Sequence, residues 1–293
     1  MSKAPEFSYT PERIESIAAT AISNLELEIK KIAGIPAAKR TFKNTVLAFE
    51  LACAKLTEIT QVPQFLAIVS EDPAVRGAGE ALRLKMGRHT IDLMTREDIF
   101  NALKEYAEKA EKLGPVDAGL LRKQLLEFKK NGLGLEPRKK EKVKTILKEL
   151  VGLSLEFQKN LRDVSDALEV TGAELRGLPE DYKARLKRTD KGGYLVTTNY
   201  PDYNPFMENA ESDEARRRLH KLFNNRCAGT NVKLLEESIT LRRKVAKLLG
   251  YGSYADYVLD DRMAKSSATV FAFLERTQAK LKLKARKELR ALL

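Results

Sequence analysis

Apolar residues recur at helical spacing along most of this chain, and cap and breaker residues cut the pattern into separate helices. Thr10-Pro11-Glu12 supplies an N-cap, a proline at the first helical position and an acid in the first turn. Ile14, Ile17, Ala18, Ala21, Ile22 and Leu25 then recur at helical spacing, and Pro36 is expected to end or interrupt the element. A second helix is predicted over Thr41 to Thr60, and Asp72-Pro73 opens a third carrying Val75, Ala78, Leu82 and Met86. Thr95-x-x-Asp98 reads as a capping box before Ile99 and Leu103. Leu113-Gly114-Pro115 reads as a helix stop. A helix over Leu120 to Lys130 should end at Asn131-Gly132-Leu133-Gly134, and Pro137 should start a long one with Val143, Ile146, Leu147, Leu150 and Leu153 on its apolar stripe.

The period changes between Val164 and Pro205. Thr171-x-x-Glu174 is a second capping pattern, and Asp190-Lys191-Gly192-Gly193 is a turn. Tyr194 to Tyr200 is β-branched and aromatic and reads as a strand, with Ala167 to Val170 as a candidate partner. Helices resume at Ser212. Asn231 is expected to cap one ending at Gly250, Ser253-x-x-Asp256 a short one, and Ser266 or Ser267 the last. The predicted fold is mainly α, a multi-helix array with one short β-hairpin or strand pair around residues 167–200. The irregular stretch suggests two regions, residues 1–165 and 166–293.

A net charge of +12 raises nucleic acid as a partner, but the charges are interleaved, as in residues 139–152. The one basic cluster with little compensation runs from Lys280 to Arg290 and carries no stacking aromatics, so nucleic acid ranks last among the expected partners. No apolar run reaches the ~20 residues of a membrane span, and the first residues have no apolar core of a secretory signal. Cys53 and Cys227 do not form a disulfide framework, which points to a reducing cytoplasm.

The chemistry-bearing residues are few. A hydrolytic zinc needs three protein ligands and an open position for water. Neither histidine, His89 nor His220, has a second His at helical spacing. His89 has Asp92 three residues on, and His220 with Cys227 could share a helix face, but a third ligand is missing in both cases. The 293 residues contain no His-Glu-x-x-His, no Gly-x-Ser-x-Gly and no phosphate loop ending in Lys-Ser or Lys-Thr. The small residues at 77–82 read as close helix packing. Tyr194, Tyr200 and Tyr203 around Pro201 and Pro205 admit two readings: the lining of a peptide channel, or a rigid strand-to-helix turn with its rings in the core. No catalytic, cofactor-binding or metal-binding residue is assigned.

Several segments, in order, resemble the thimet oligopeptidase and neurolysin family of zinc metallopeptidases. They include VSEDPAVRGAGEAL (69–82), FKKNGLGL (128–135), GLPEDYKARL (177–186), VTTNYPDYNPFM (196–207), FNNRCAGTNVKLLEE (223–237) and LLGYGSYADYVLDDRMAK (248–265). The resemblance spans roughly Val69 to Leu293. It implies an enzyme about twice this long, whose two mostly helical halves enclose a channel for short cytosolic peptides, with zinc held in the second half. On that resemblance the chain is the N-terminal, channel-forming part of such an enzyme, in the cytoplasm. Its expected partners are short peptides and a complementary C-terminal catalytic half, with no membrane; zinc belongs to the parent family and this part alone is expected to be inactive. Leu289, Leu292 and Leu293 form an apolar face near the end of the sequence, so a truncated or split form that self-associates or binds its complement is expected. The alternatives are a non-catalytic helical peptide-binding module and a basic nucleic-acid-binding helical protein.

Overall fold

The computed structural model describes residues 6–293. It divides into two compact units, Met1–Gly152 with Ser238–Leu293, and Leu153–Glu237. The helices are α1 (Pro11–Ala33), α2 (Ala48–Val69), α3 (Pro73–Met94), α4 (Glu97–Glu108), α5 (Pro115–Lys130), α6 (Pro137–Asp163), α7 (Glu180–Arg185), α8 (Tyr200–Asn209), α9 (Asp213–Asn224), α10 (Ala228–Leu248), α11 (Tyr254–Leu259) and α12 (Ser267–Leu292). The strands are β1 (Ala167–Val170), β2 (Lys187–Arg188) and β3 (Tyr194–Thr197). The mainly helical fold with a small strand group is as the sequence predicts.

In the first unit the Thr10 hydroxyl accepts from the Arg13 N–H and starts α1, which buries Ile14, Ala18, Ala21, Leu25, Ile29 and Ile32. A π-helical turn at Phe42–Leu47, closed by reciprocal Thr41–Asn44 hydrogen bonds, leads into α2. That helix continues to Val69, past the predicted end at Thr60, with Pro63 inside it. Proline removes one backbone donor there, yet Pro63, Leu66 and Ala67 are buried, so packing holds the turn against the loss. Asp72 caps α3 through the Ala74 N–H. Around Phe128 the rings of Phe49 and Phe100 each lie 5.8 Å away, joining α2, α4 and α5 in one core.

Two predicted signals act elsewhere. The Thr95 hydroxyl donates back to the carbonyls of Ile91 and Asp92, finishing α3, while Arg96 is the N-cap of α4 without a side-chain cap bond. Asp98 instead accepts from Arg96 and from the Ile99 N–H. Gly114-Pro115 is a start rather than a stop: α4 has already ended at Glu108, and Pro115 sits in the first turn of α5, where its missing N–H costs nothing.

The turn after α5 is tied to the segment after α11. The Lys130 ammonium lies 2.8 Å from Asp261 and 4.9 Å from the Tyr257 ring centre, with the lysine only 8% exposed. The Tyr257 hydroxyl in turn donates to the Lys130 carbonyl, at 3.4 Å.

The second unit is built on a three-stranded antiparallel sheet, order β1-β3-β2, with Ala167 opposite Thr197 and Val170 opposite Tyr194. The predicted partner of β3 is therefore the observed one; the two-residue β2 was too short to read. Strand β3 ends at Thr197, because Tyr200 already opens α8. Val170, Leu175, Leu178, Tyr182, Val196, Phe206 and Leu219 form its core. Gly177 has a φ of 86°, and a Cβ there would meet the Asn209 carbonyl oxygen at 2.2 Å, so only glycine fits beside the end of α8. Asn231 is not a cap. It lies in the first turn of α10, 5% exposed; its amide donates to the Phe157 carbonyl (3.1 Å) and accepts from the Asn160 amide (2.8 Å).

Candidate functional site

The corner from β3 to α8 in the second unit gathers the residues with the most ligand-ready chemistry. Asp202 fixes it. Its carboxylate accepts from the Thr197 hydroxyl (2.6 Å) and the Thr197 N–H (3.3 Å), and Arg185 stands 3.3 Å from its other oxygen. Its carbonyl accepts from the Tyr182 hydroxyl at 2.8 Å. Burial pushes the Tyr182 phenol well above its usual pKa, so it stays a donor. With the corner set, Tyr200 and Tyr203 stand three residues apart on one face of α8.

Both rings meet Phe223 of α9. Tyr203 stacks on it at 3.8 Å with an interplanar angle of 19°, and Tyr200 meets it edge-on at 5.6 Å and 67°. The Arg226 guanidinium lies 3.7 Å from the Phe223 ring centre, held by a bond from its Nε to the Phe223 carbonyl at 2.9 Å. The Tyr203 hydroxyl is 2.9 Å from His220 Nδ1, and the Asn224 amide lies 3.2 Å from that ring. Tyr200 is 62% exposed, so its ring is not in the core. The cluster offers flat apolar faces, a guanidinium and a phenol–imidazole pair on one patch, a surface able to stack on and hydrogen-bond a flexible chain.

Tyr194 stands apart. It lies in β3 opposite Val170, with the Arg188 guanidinium 4.9 Å from its ring centre. Nothing in the local sequence marks Phe223, His220 and Arg226 as companions of Tyr200 and Tyr203. Phe223 sits in an apolar run with Leu219 and Leu222, which reads as core, and only the α8–α9 pairing in space reveals its other neighbours.

The remaining candidates do not converge on a metal. Among the described residues, no group of three His, Cys, Asp or Glu side chains is placed to hold one. Cys227 does not share a helix face with His220: α9 ends at Asn224, and Cys227 takes a left-handed φ of 54° with its thiol 3.1 Å from the Asn160 carbonyl. His89 is half-buried beside Glu26, 4.0 Å away, and this partial burial lowers its pKa. Asp92 faces away from that role: Lys144 and Lys148 lie 2.8 and 2.6 Å from it. Burial alone would raise the Asp92 pKa, but the two ammonium groups outweigh it and hold it below the usual value. Burial pushes the Cys53 thiol up to about 12, so it is not a nucleophile at neutral pH.

Residues 206–293 match the family model of peptidase family M3. The chain is 30% identical over 81% of its length to a probable thimet oligopeptidase of Arabidopsis thaliana, covering 33% of that relative. It is 30% identical over 85% of its length to a thimet-like oligopeptidase of Dictyostelium discoideum, and 29% identical over 98% to saccharolysin of Saccharomyces cerevisiae, covering 38% and 41% of them. The chain belongs to peptidase family M3. It spans between a third and a half of the length of these M3 relatives. The family match takes in only the last turn of α8, all of α9 and the patch residues Phe223 and Arg226, and it begins after Tyr200 and Tyr203.

Proposed function

We propose that this chain is the N-terminal, channel-forming part of a zinc-dependent M3 oligopeptidase that hydrolyses short peptides in the cytoplasm. Its M3 relatives are named as oligopeptidases, and among the described residues no helix is long and apolar enough to cross a membrane. In this reading Tyr200 and Tyr203 contact peptide, with Phe223 and Arg226 beside them, and Tyr194 lines the same path from β3. A complementary catalytic half supplies the zinc chemistry of the family; the residues described do not fit a metal, so no bond-breaking step is assigned to them. The observation that carries the reading is the exposed aromatic patch on a rigid, hydrogen-bonded corner of an M3 chain.

Fluorescence polarisation with a fluorescein-labelled mixture of tryptic peptides tests it. Saturable binding that weakens several-fold in Tyr200→Ala, with thermal stability changed by no more than about 0.5 kcal/mol, is expected. Binding that ignores Tyr200, or zinc-dependent hydrolysis by the purified chain alone, would sink it. Binding without any hydrolysis when an M3 catalytic half is added would favour a non-catalytic peptide-binding module.

A further inference from the structure

Strand β1 is one edge of the sheet in the second unit, and β2 is the other. The register decides which backbone groups of β1 point outward. The Thr198 N–H donates to the Asp166 carbonyl at 3.0 Å, and Ala167, Leu168, Glu169 and Val170 lie opposite Thr197, Val196, Leu195 and Tyr194. In an antiparallel ladder only alternate residues exchange hydrogen bonds with the partner strand. Asp166, Leu168 and Val170 therefore bond to β3, and the N–H and C=O groups of Ala167 and Glu169 point away from it. Among the described residues nothing bonds to those outward groups, and both residues are exposed. Sheet edges are ordinarily blunted by brevity, charge or proline. Edge β2 is two residues long, Lys187 and Arg188. Edge β1 has four residues and neither proline nor lysine. Its one charged side chain, Glu169, reaches back over the sheet to the Thr189 hydroxyl at 2.7 Å.

We infer that β1 is a docking edge for a short basic peptide, which adds to the sheet as a further strand. An extended chain presents N–H and C=O groups at the two-residue spacing that Ala167 and Glu169 set. Alternate side chains of that strand lie beside the half-buried Leu168, which favours apolar residues there. Charge sets the rest. Residues 163–170 hold Asp163, Asp166 and Glu169 and no cation. A second copy laid edge to edge would bring the same acids alongside, like against like. The inference uses β1 alone and stands apart from the peptide-binding reading of the α8–α9 patch.

Fluorescence anisotropy on the full chain tests it with a labelled heptapeptide of alternating lysine and valine and two N-methylated versions. One version is methylated on the backbone nitrogen of each lysine, the other on that of each valine, so each blocks the hydrogen bonds along one edge of the peptide. The parent peptide should bind. One methylated version should bind about tenfold more weakly, and the other should stay within about twofold of the parent. Ala167→Pro removes an outward N–H and no ladder bond, and should weaken binding about fivefold. Circular dichroism checks that this variant folds, and the contrast between the methylated peptides on the wild-type chain carries the test if it does not. Tyr200→Ala, which probes the α8–α9 patch, should leave that contrast intact. Equal effects of the two methylation patterns, loss of the contrast in Tyr200→Ala, no binding of the parent peptide, equal binding when glutamate replaces lysine, or a dimer of the chain that Ala167→Pro dissolves overturns the inference.

Discussion

The Asp256 carboxylate accepts two hydrogen bonds from Ser267, from its N–H at 3.0 Å and its hydroxyl at 2.7 Å. Its second oxygen accepts from the Ser253 hydroxyl at 2.7 Å, and the Ser253 hydroxyl accepts from the Asp256 N–H. One side chain thus joins the start of α11 to the start of α12. The Ser267 and Ser253 bonds hold the Asp256 pKa below the usual carboxylate value. Asp256→Ala should lower the melting temperature more than Ser253→Ala, whose lost cap is worth about 1 kcal/mol. Differential scanning calorimetry of the two variants checks the order, and equal losses would remove Asp256 from its joining role.

Helices α2 and α3 touch at Gly79. A Cβ there would meet the backbone nitrogen of Ala67 at 2.7 Å, and backbone cannot swing aside. Gly79→Ala should cost about 1–3 kcal/mol in urea titrations. Gly77→Ala, where a Cβ meets nothing within 4 Å, should stabilise slightly through better helix propensity.

Asn231 is a buried polar residue whose two partners depend on it. Asn231→Leu leaves the Phe157 carbonyl and the Asn160 amide without it, at a cost of about 1–3 kcal/mol. The double variant with Asn160→Leu should recover part of that loss, since one unpaired amide is removed. Chemical denaturation of the four chains in the cycle measures the coupling, and strict additivity would contradict it.

The His89 imidazole gives a pH dependence with a defined sign. Burial pulls its pKa below the ordinary 6.5; Glu26 and Asp92 pull upward, while Arg96 and Lys85 act with burial. The unfolded chain therefore binds a proton that the folded chain resists, so stability rises with pH across this window. The contribution is present above 6.5 and is lost as pH falls below it. His89→Gln should flatten the denaturation midpoint between about pH 5 and pH 7 relative to the wild-type chain. Parallel pH profiles would mean that other groups carry the dependence.

The sequence makes most helix starts legible because caps are local. Thr10, Asp72, Ser212, Ser253 and Ser266 each accept from a backbone N–H within three residues, and each was readable from its own neighbours. Thr95 and Asn231 carry the same residue types, yet tertiary or preceding-turn partners claim their side chains. The close approach at Gly79 was legible in the small residues at 77–82, though not which glycine makes it. The aromatic patch was half legible: proline and tyrosine announced the corner, whereas its completion by Phe223 depends on two helices meeting in space.

The sheltered Lys130 also makes the chain report on its own opening. Trypsin needs an extended, accessible segment around the lysine it cuts, and in the folded chain the ammonium is enclosed by Asp261 and Tyr257. Cleavage after Lys130 therefore counts the molecules in which the segment after α11 has swung away, and its rate reads out that local equilibrium separately from global unfolding.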